Sequence, residues 1–345
     1  MIRRTLTQNL TRHLTRRAAA GLLALTAATG LAACSSASGN DQAVRDDGSV
    51  DLSKVTLTVG DQKGGSQALL RAAGDIGRTP YKVEFKTFTS GPPLLEALNA
   101  GAIDIGGVGN TPPLFAAAAK SNLEVVSGAQ MGAKGDAIVV PKDSPIESVA
   151  DLKGKKVAVA EGSSANYNLL AQLDKAGLTY QDVKAQNLQP ADALAAFSSG
   201  HVDAWAVWDP YTSQAELEAG GRILVDGAGT VNGMTFQAAN PDALDDKATA
   251  AAIEDYLKRI ARAQKWSNTH RERWAQVWAE DSGLSPEVTR RAVDRRVARP
   301  VPLDAKVVGS EQEMADTFAA NDLVPSKFDV SDYFSDRFNQ SVPNA

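Results

Sequence analysis

Along this chain, short bursts of strictly alternating apolar and polar positions are separated by stretches with the wider spacing of a helix. Val55, Leu57 and Val59 alternate with Thr56 and Thr58, the period-two pattern of a half-buried strand. Val83 with Phe85, then Ile103-Asp104-Ile105, Val125-Val126, Ile138-Val139-Val140 and Val157-Ala158-Val159 predict further strands. Helices are predicted over 92–99, 164–175 and 191–197, with Gly177 as a stop after the second. Strands alternating with helices make an α/β architecture. From Ala248 the pattern turns helical. Ile253, Tyr256, Leu257, Ile260 and Gln264 share one face and Trp274, Val277 and Trp278 another, and both read as packing faces.

One pattern occurs twice. The segment from Glu96 to Ile105 and the segment from Ala195 to Ala204 stand 99 residues apart. Each runs from a helix end through a glycine (Gly101, Gly200), suited to a left-handed C′ position, into a short strand carrying an aspartate (Asp104, Asp203). Such connections are common singly; two in register predict two similar lobes, each presenting a strand end to a shared cleft. Residues 135–145 read as the crossover from the first lobe and 234–240 as the return. The expected organisation is a first lobe of residues 54–138 and 235–345 and a second of residues 139–234.

The N-terminus adds a location. Arg3, Arg4, Arg12, Arg16 and Arg17 precede an uncharged Leu- and Ala-rich run from Ala18 to Ala33. That run is shorter than the roughly 20 apolar residues that a membrane-spanning helix needs, and reads as an export signal. It ends Leu31-Ala32-Ala33-Cys34, small residues before the chain's only cysteine. This resembles the bacterial lipobox, which implies cleavage after residue 33 and a lipid on Cys34; an ordinary secretory signal is the alternative. Thr15-Arg16-Arg17 also fits twin-arginine export. Residues 34–53, rich in Ser, Gly, Asn and Asp, read as a flexible tether.

Without residues 1–33, which hold five arginines and no acidic residue, 31 basic and 41 acidic side chains remain, a formal −10. That balance argues against a nucleic-acid partner, and means that local donors rather than net charge would hold an anionic ligand. With His201 and His270 the only histidines left and no second cysteine, a zinc site or His-dependent triad has little to build on. Arg290, Arg291, Arg295, Arg296 and Arg299 read as a solvated helix face, with a docking patch as the alternative.

Candidate chemistry gathers in loops between strand ends and helix starts. Asp61-Gln62-Lys63-Gly64-Gly65-Ser66 combines glycines, which let a ligand approach the backbone, with side-chain donors. Thr89-Ser90-Gly91-Pro92-Pro93 opens a helix, whose N-terminus attracts anions. In Gly109-Asn110-Thr111-Pro112-Pro113, Asn110 or Thr111 can cap the next helix or donate to a ligand. Glu161-Gly162-Ser163-Ser164 brings two hydroxyls to a helix start, a place for a sulfonate or similar oxyanion, and lacks the spacing of a nucleophile elbow. Trp205, Trp208 and Tyr211 surround a turn and could cover an apolar tail, core packing being the alternative for one of them.

Together with Gln62-Lys63-Gly64, Gly91-Pro92-Pro93-Leu94-Leu95-Glu96-Ala97-Leu98, Val149-Ala150-Asp151-Leu152-Lys153-Gly154-Lys155 and Val202-Asp203-Ala204-Trp205-Ala206-Val207-Trp208-Asp209-Pro210-Tyr211, these loops stand in the order found in a known family. From about Val55 to Leu244 the chain resembles the aliphatic sulfonate-binding proteins of ABC importers, relatives of the taurine- and nitrate-binding proteins. The resemblance implies a two-lobed type II periplasmic-binding-protein fold with the ligand cleft between lobes. It also implies a monomer without cofactor, presenting a small anionic solute to an ABC permease and its ATPase. Carried over, the ligand contacts are Gln62, Ser90, Gly91, Asn110, Thr111, Ser163, Ser164 and Trp208; Lys63, Trp205, Asp209 and Tyr211 join them as contacts or as shapers of loop and hinge. The family often has Asp where this chain has Asn110. An amide in place of a carboxylate leads to the expectation of a sulfonate without a basic amine, with taurine disfavoured. Nitrate or a thiamine-pyrimidine precursor as ligand, a sensory role, and a lipid-anchored enzyme are the competing readings. Catalytic or metal-spaced Cys and His pairs, which the last would need, are missing from the sequence.

Overall fold

A computed structural model describes residues 40–342. The predicted export segment and Cys34 lie outside the described residues. Strands β1 (Thr56–Gln62), β2 (Lys82–Phe88), β3 (Ile105–Gly109) and β4 (Glu124–Gln130) alternate with helices α1 (Ser66–Ala73), α2 (Gly91–Asn99) and α3 (Thr111–Ala118). Next come β5 (Ala137–Pro141), β6 (Lys156–Val159), α4 (Ser164–Lys175), β7 (Lys184–Asn187), α5 (Pro190–Ser198), β8 (Ala204–Val207), α6 (Tyr211–Glu218) and β9 (Gly221–Asp226). After β10 (Met234–Ala239) the chain is mostly helical: α7 (Pro241–Asp245), α8 (Lys247–Thr269), α9 (Arg271–Ser282), α10 (Pro286–Asp294), a short β11 (Arg299–Val301) and α11 (Ala305–Ala320).

The strands form two sheets, ordered β11-β4-β10-β3-β1-β2 and β7-β6-β8-β5-β9. In the first, β1 is parallel to β2 and β3 while β10 is antiparallel to β3 and β4. In the second, β6 is parallel to β7 and β8 while β5 is antiparallel to β8 and β9. The same five-strand pattern thus occurs twice, and each reversed strand is reached by crossing from the other sheet. The chain leaves the first sheet over residues 131–136 and returns over residues 227–233. The outgoing passage overlaps the expected crossover of residues 135–145 only at its start and the return passage ends before residue 234, because β5 and β10 begin inside those segments. Fully buried Leu57, Ile105 and Tyr256 anchor the core under the first sheet, and Val140, Val157 and Leu169 that under the second. Each such aliphatic burial contributes about 1.5–3 kcal/mol.

The twofold sequence pattern has a structural role. Gly101 (φ +67°) and Gly200 (φ +70°) take the left-handed position. The Asp104 carboxylate then accepts the Thr58 N–H (2.7 Å) and Asp203 that of Lys156 (2.8 Å). Each aspartate therefore pins two parallel strands together near their amino ends, and the strand of the first copy begins after Asp104 rather than at Ile103. The tether also needs correction from residue 40 onward. Asn40 donates to the Thr56 carbonyl (3.1 Å) and the Thr249 hydroxyl (2.8 Å), and Ala43 is fully buried. Its small polar residues cap turns, as Asp47 and Asp51 do by accepting from Ser49 and Ser53. No helix among the described residues is long and apolar enough to cross a membrane.

Candidate ligand-binding cavity

In open α/β sheets ligands sit beyond the carboxyl ends of the parallel strands. There the loops after β1, β3, β6 and β8 enclose a cavity of about 200 Å³ between the two sheets. Its first wall is the loop from Asp61 to Ser66. Gly64 is left-handed (φ +71°), and a Cβ on it would stand 1.4 Å from the Trp278 Nε1 atom. Asp61 accepts the Ser66 and Gln67 N–H groups, both at 2.8 Å, so the amino end of α1 is already occupied. Burial nevertheless pushes Asp61 up to about 6. Gln62 donates its amide to the Gly107 carbonyl at 2.9 Å.

The helix starts facing the cavity are unequal as anion sites. Prolines 92, 93, 112 and 113 remove N–H donors from the first turns of α2 and α3. The amino end of α4 keeps its donors. Ser163 accepts the Asn166 N–H and gives its hydroxyl proton to the Ala160 carbonyl (2.6 Å), while the Ser164 hydroxyl donates to Asp136 Oδ1 (2.6 Å). The Ser164 N–H has no acceptor among the described residues.

Most charges on the lining are already matched. Asp209 accepts the Ser213 N–H (3.0 Å) and hydroxyl (2.6 Å) and pairs with Arg295 (3.3 Å). Arg271 pairs with Asp294 (3.2 Å). Lys63 stands exposed at the rim, its charge solvated. Two charges remain. The Arg296 guanidinium lies over the Trp278 ring, 4.9 Å from its centre, and makes no hydrogen bond or ion pair among the described residues. Burial lowers its affinity for the proton, against the pull of Asp209 and Asp136. The Asp136 carboxylate accepts only the Ser164 hydroxyl among the described residues, and burial pushes it up to about 6 against that hydrogen bond and the nearby Arg296 charge. Leu69, Ile260, Trp274, Val293 and Trp208 supply an apolar wall. Among the described residues no cluster of three or more His, Cys, Asp or Glu is disposed to hold a metal.

Of the residues carried over from the resemblance, Gln62, Lys63, Gly91, Ser163, Ser164, Trp208 and Asp209 line this cavity, and Ser90, Asn110, Thr111, Trp205 and Tyr211 do not. Ser90 and Thr89 donate to Gln189 at the entrance of α5 (2.8 and 3.0 Å), tying one lobe to the other. Asn110 donates to Asn232 in the return crossover (2.7 Å) and accepts the Thr111 hydroxyl (3.0 Å). Trp205 is buried in the core between Phe197 and Tyr211, and Tyr211 meets Trp208 edge-on at 6.1 Å. Asn110 therefore does not face the ligand space, and the argument from it against an amine-bearing ligand loses its footing. Asp136, Arg296 and Trp274 line the cavity without a mark in the loop motifs. The charge pattern groups Arg296 with a helix face, yet α10 ends at Asp294 and the turn beyond it points inward. Trp274 was assigned to packing, and it stacks on Trp278 (5.1 Å) with an edge on the cavity.

Fold and cavity together define a two-lobed solute-binding protein. The family model described as NMT1/THI5 like matches residues 82–258. An Escherichia coli relative named as an aliphatic sulfonates-binding protein is 39% identical over 285 residues, covering 81% of this chain and 88% of its own. The crystal structure of the alkanesulfonate-binding protein SsuA from Xanthomonas axonopodis pv. citri, bound to MOPS, superposes with a TM-score of 0.76 at 37% identity, covering 81% of this chain and 98% of that one. SsuA from Escherichia coli gives a TM-score of 0.72 at 38% identity, covering 81% of this chain and 91% of its own. The chain belongs to the NMT1/THI5-like family and, within it, to the aliphatic sulfonate-binding proteins of ABC importers.

Proposed function

We propose that this chain is an extracytoplasmic receptor that binds an aliphatic sulfonate in the cavity and hands it to an ABC permease driven by its ATPase, held at the membrane by lipid on Cys34. It binds and does not react. The observation that carries this reading is Arg296, a partly buried cation that lines the cavity and forms no ion pair among the described residues. A charge that is partly withdrawn from water and lacks an ion pair carries a desolvation cost, and a bound anion offsets it. A sulfonate suits the place because it stays ionised at any ordinary pH and its three oxygens can take the guanidinium fork and the Ser164 N–H together. The apolar wall opposite accepts a short carbon tail. With the mature chain at a formal −10, these local donors rather than long-range attraction hold the anion. The names of the relatives point to the same ligand class.

Isothermal titration of the purified protein with propane-1-sulfonate, sulfate, nitrate and a thiamine pyrimidine tests this. The sulfonate binds, and Arg296→Ala weakens it by about 30-fold or more, as for loss of a charge-assisted pair. Binding of nitrate or the pyrimidine in preference to every sulfonate would overturn the reading.

A further inference from the structure

Two opposite charges face this cavity without forming an ion pair with each other among the described residues, and a ligand that engages Arg296 alone brings a second negative charge close to Asp136. Asp136 sits at the end of the outgoing crossover, where the Gly227 N–H to its carbonyl (2.8 Å) and the Ser164 hydroxyl to Oδ1 hold it in place. Its second oxygen accepts no hydrogen bond among the described residues, and Arg296 stands too far away to form an ion pair with it. The other carboxylates on the lining are spoken for, Asp61 by the α1 amides and Asp209 by Arg295 and Ser213. Gln237 on β10, 7% exposed, adds an amide oxygen with no partner among the described residues. A sulfonate bound at Arg296 and the amino end of α4 comes to rest beside Asp136, because Ser164 belongs to both. A plain alkanesulfonate would then set negative charge and bare methylenes against a free carboxylate.

We infer that Asp136 receives a cationic amine on the ligand's tail, so that the cavity selects a zwitterionic aminosulfonate over an alkanesulfonate of equal length. This rests on the sulfonate reading above and reverses the preference expected from Asn110. The protein's unmatched pair, one cation and one anion, is complementary to a ligand that carries both charges a few atoms apart. At neutral pH a carboxylate titrating at about 6 is ionised, and an ammonium group beside it favours that form further.

The test compares taurine with propane-1-sulfonate, which replaces the ammonium group by a methyl, in titrations of the purified protein near pH 7.5. The expected result is taurine bound tighter by about tenfold or more, with Asp136→Asn bringing the ratio of the two affinities close to one. A wild-type protein that binds both equally, or prefers propane-1-sulfonate, overturns the assignment of Asp136 and leaves the sulfonate reading standing. A full taurine preference in Asp136→Asn overturns it as well. If neither sulfonate binds, the sulfonate reading itself fails and this inference with it. The wild-type ratio decides on its own should the variant fold poorly.

Discussion

At Gly64 a left-handed backbone meets the edge of Trp278, and Trp278 in turn carries the guanidinium of Arg296 on its face. Gly64→Ala costs about 1–2 kcal/mol for the backbone alone, and the added methyl must displace the indole. The expected outcome is an unfolding midpoint lowered by several degrees together with a weaker sulfonate affinity, both read from thermal unfolding with and without propane-1-sulfonate. An unchanged affinity would mean that the indole does not position Arg296. Single residues are also where the sequence was hardest to read. The loop motifs at Gln62, Gly91, Ser163 and Trp208 announced themselves through glycines, prolines and hydroxyls at strand-to-helix junctions. Asp136 and Arg296 carry no such local mark. Each matters through what it lacks in three dimensions, a partner, and the convergence of residues 160 apart on one cavity is invisible to spacing along a chain. Asn110 misled for the converse reason: its type suits a ligand, but its partner is Asn232.

Elements were more legible than residues. The α4 boundaries follow from periodicity alone, since an uninterrupted apolar face ends at Ala176-Gly177. What periodicity cannot say is which surface a helix meets, and α10 is the case in point. Its apolar face packs beside α9 in the cluster of Trp274 and Trp278, while its charged side reaches the second lobe. Arg295, just past its end, pairs with Asp209 and Glu216 and donates to the Ser213 hydroxyl (3.1 Å); Arg291 lies 3.7 Å from Glu216, and Ser285 donates to Glu218 (2.8 Å). The Asp209 side chain is 1% exposed and that of Arg295 14%, so removing the arginine strands buried carboxylates, a loss worth about 3–5 kcal/mol. Because the pair joins α6 to α10 across the cleft, relief comes by opening. Arg295→Ala is therefore expected to enlarge the ligand-free protein's radius of gyration in small-angle scattering and to weaken taurine and propane-1-sulfonate by the same factor. An unaltered radius, or loss of one ligand only, would remove the latch from the account.

On the scale of the whole molecule, the two crossovers are held together, with the Met131 N–H bonded to the Gly233 carbonyl (2.8 Å), and the return crossover is tied to α11 through Asn232. Asn232 donates to Glu311 Oε1 (2.7 Å) and accepts from Asn110, which joins the hinge, the β3–α3 loop and α11 in one partly buried chain of polar groups. Glu311 is fully buried, and its Oε2 has no partner among the described residues. Burial outweighs the Asn232 hydrogen bond and pushes the carboxyl from an ordinary 4.5 up to about 8. A carboxyl whose pKa is raised on folding binds its proton more tightly in the folded state. Its contribution is therefore fully present below about 4.5 and is lost as pH rises toward 8, at a slope of at most about 1.4 kcal/mol per pH unit. Asp61 and Asp136, raised to about 6, act in the same direction but finish near that pH, which leaves the interval from 6 to 8 to Glu311. Glu311→Gln mimics the protonated acid and keeps the bond from Asn232. Denaturant unfolding at pH 6, 7 and 8 is then expected to show falling stability in the wild type and a flatter profile in the variant, which becomes the more stable of the two by pH 8. Parallel profiles would place an ionised carboxylate at the hinge, and its charge would have to be balanced by a group other than Asn232.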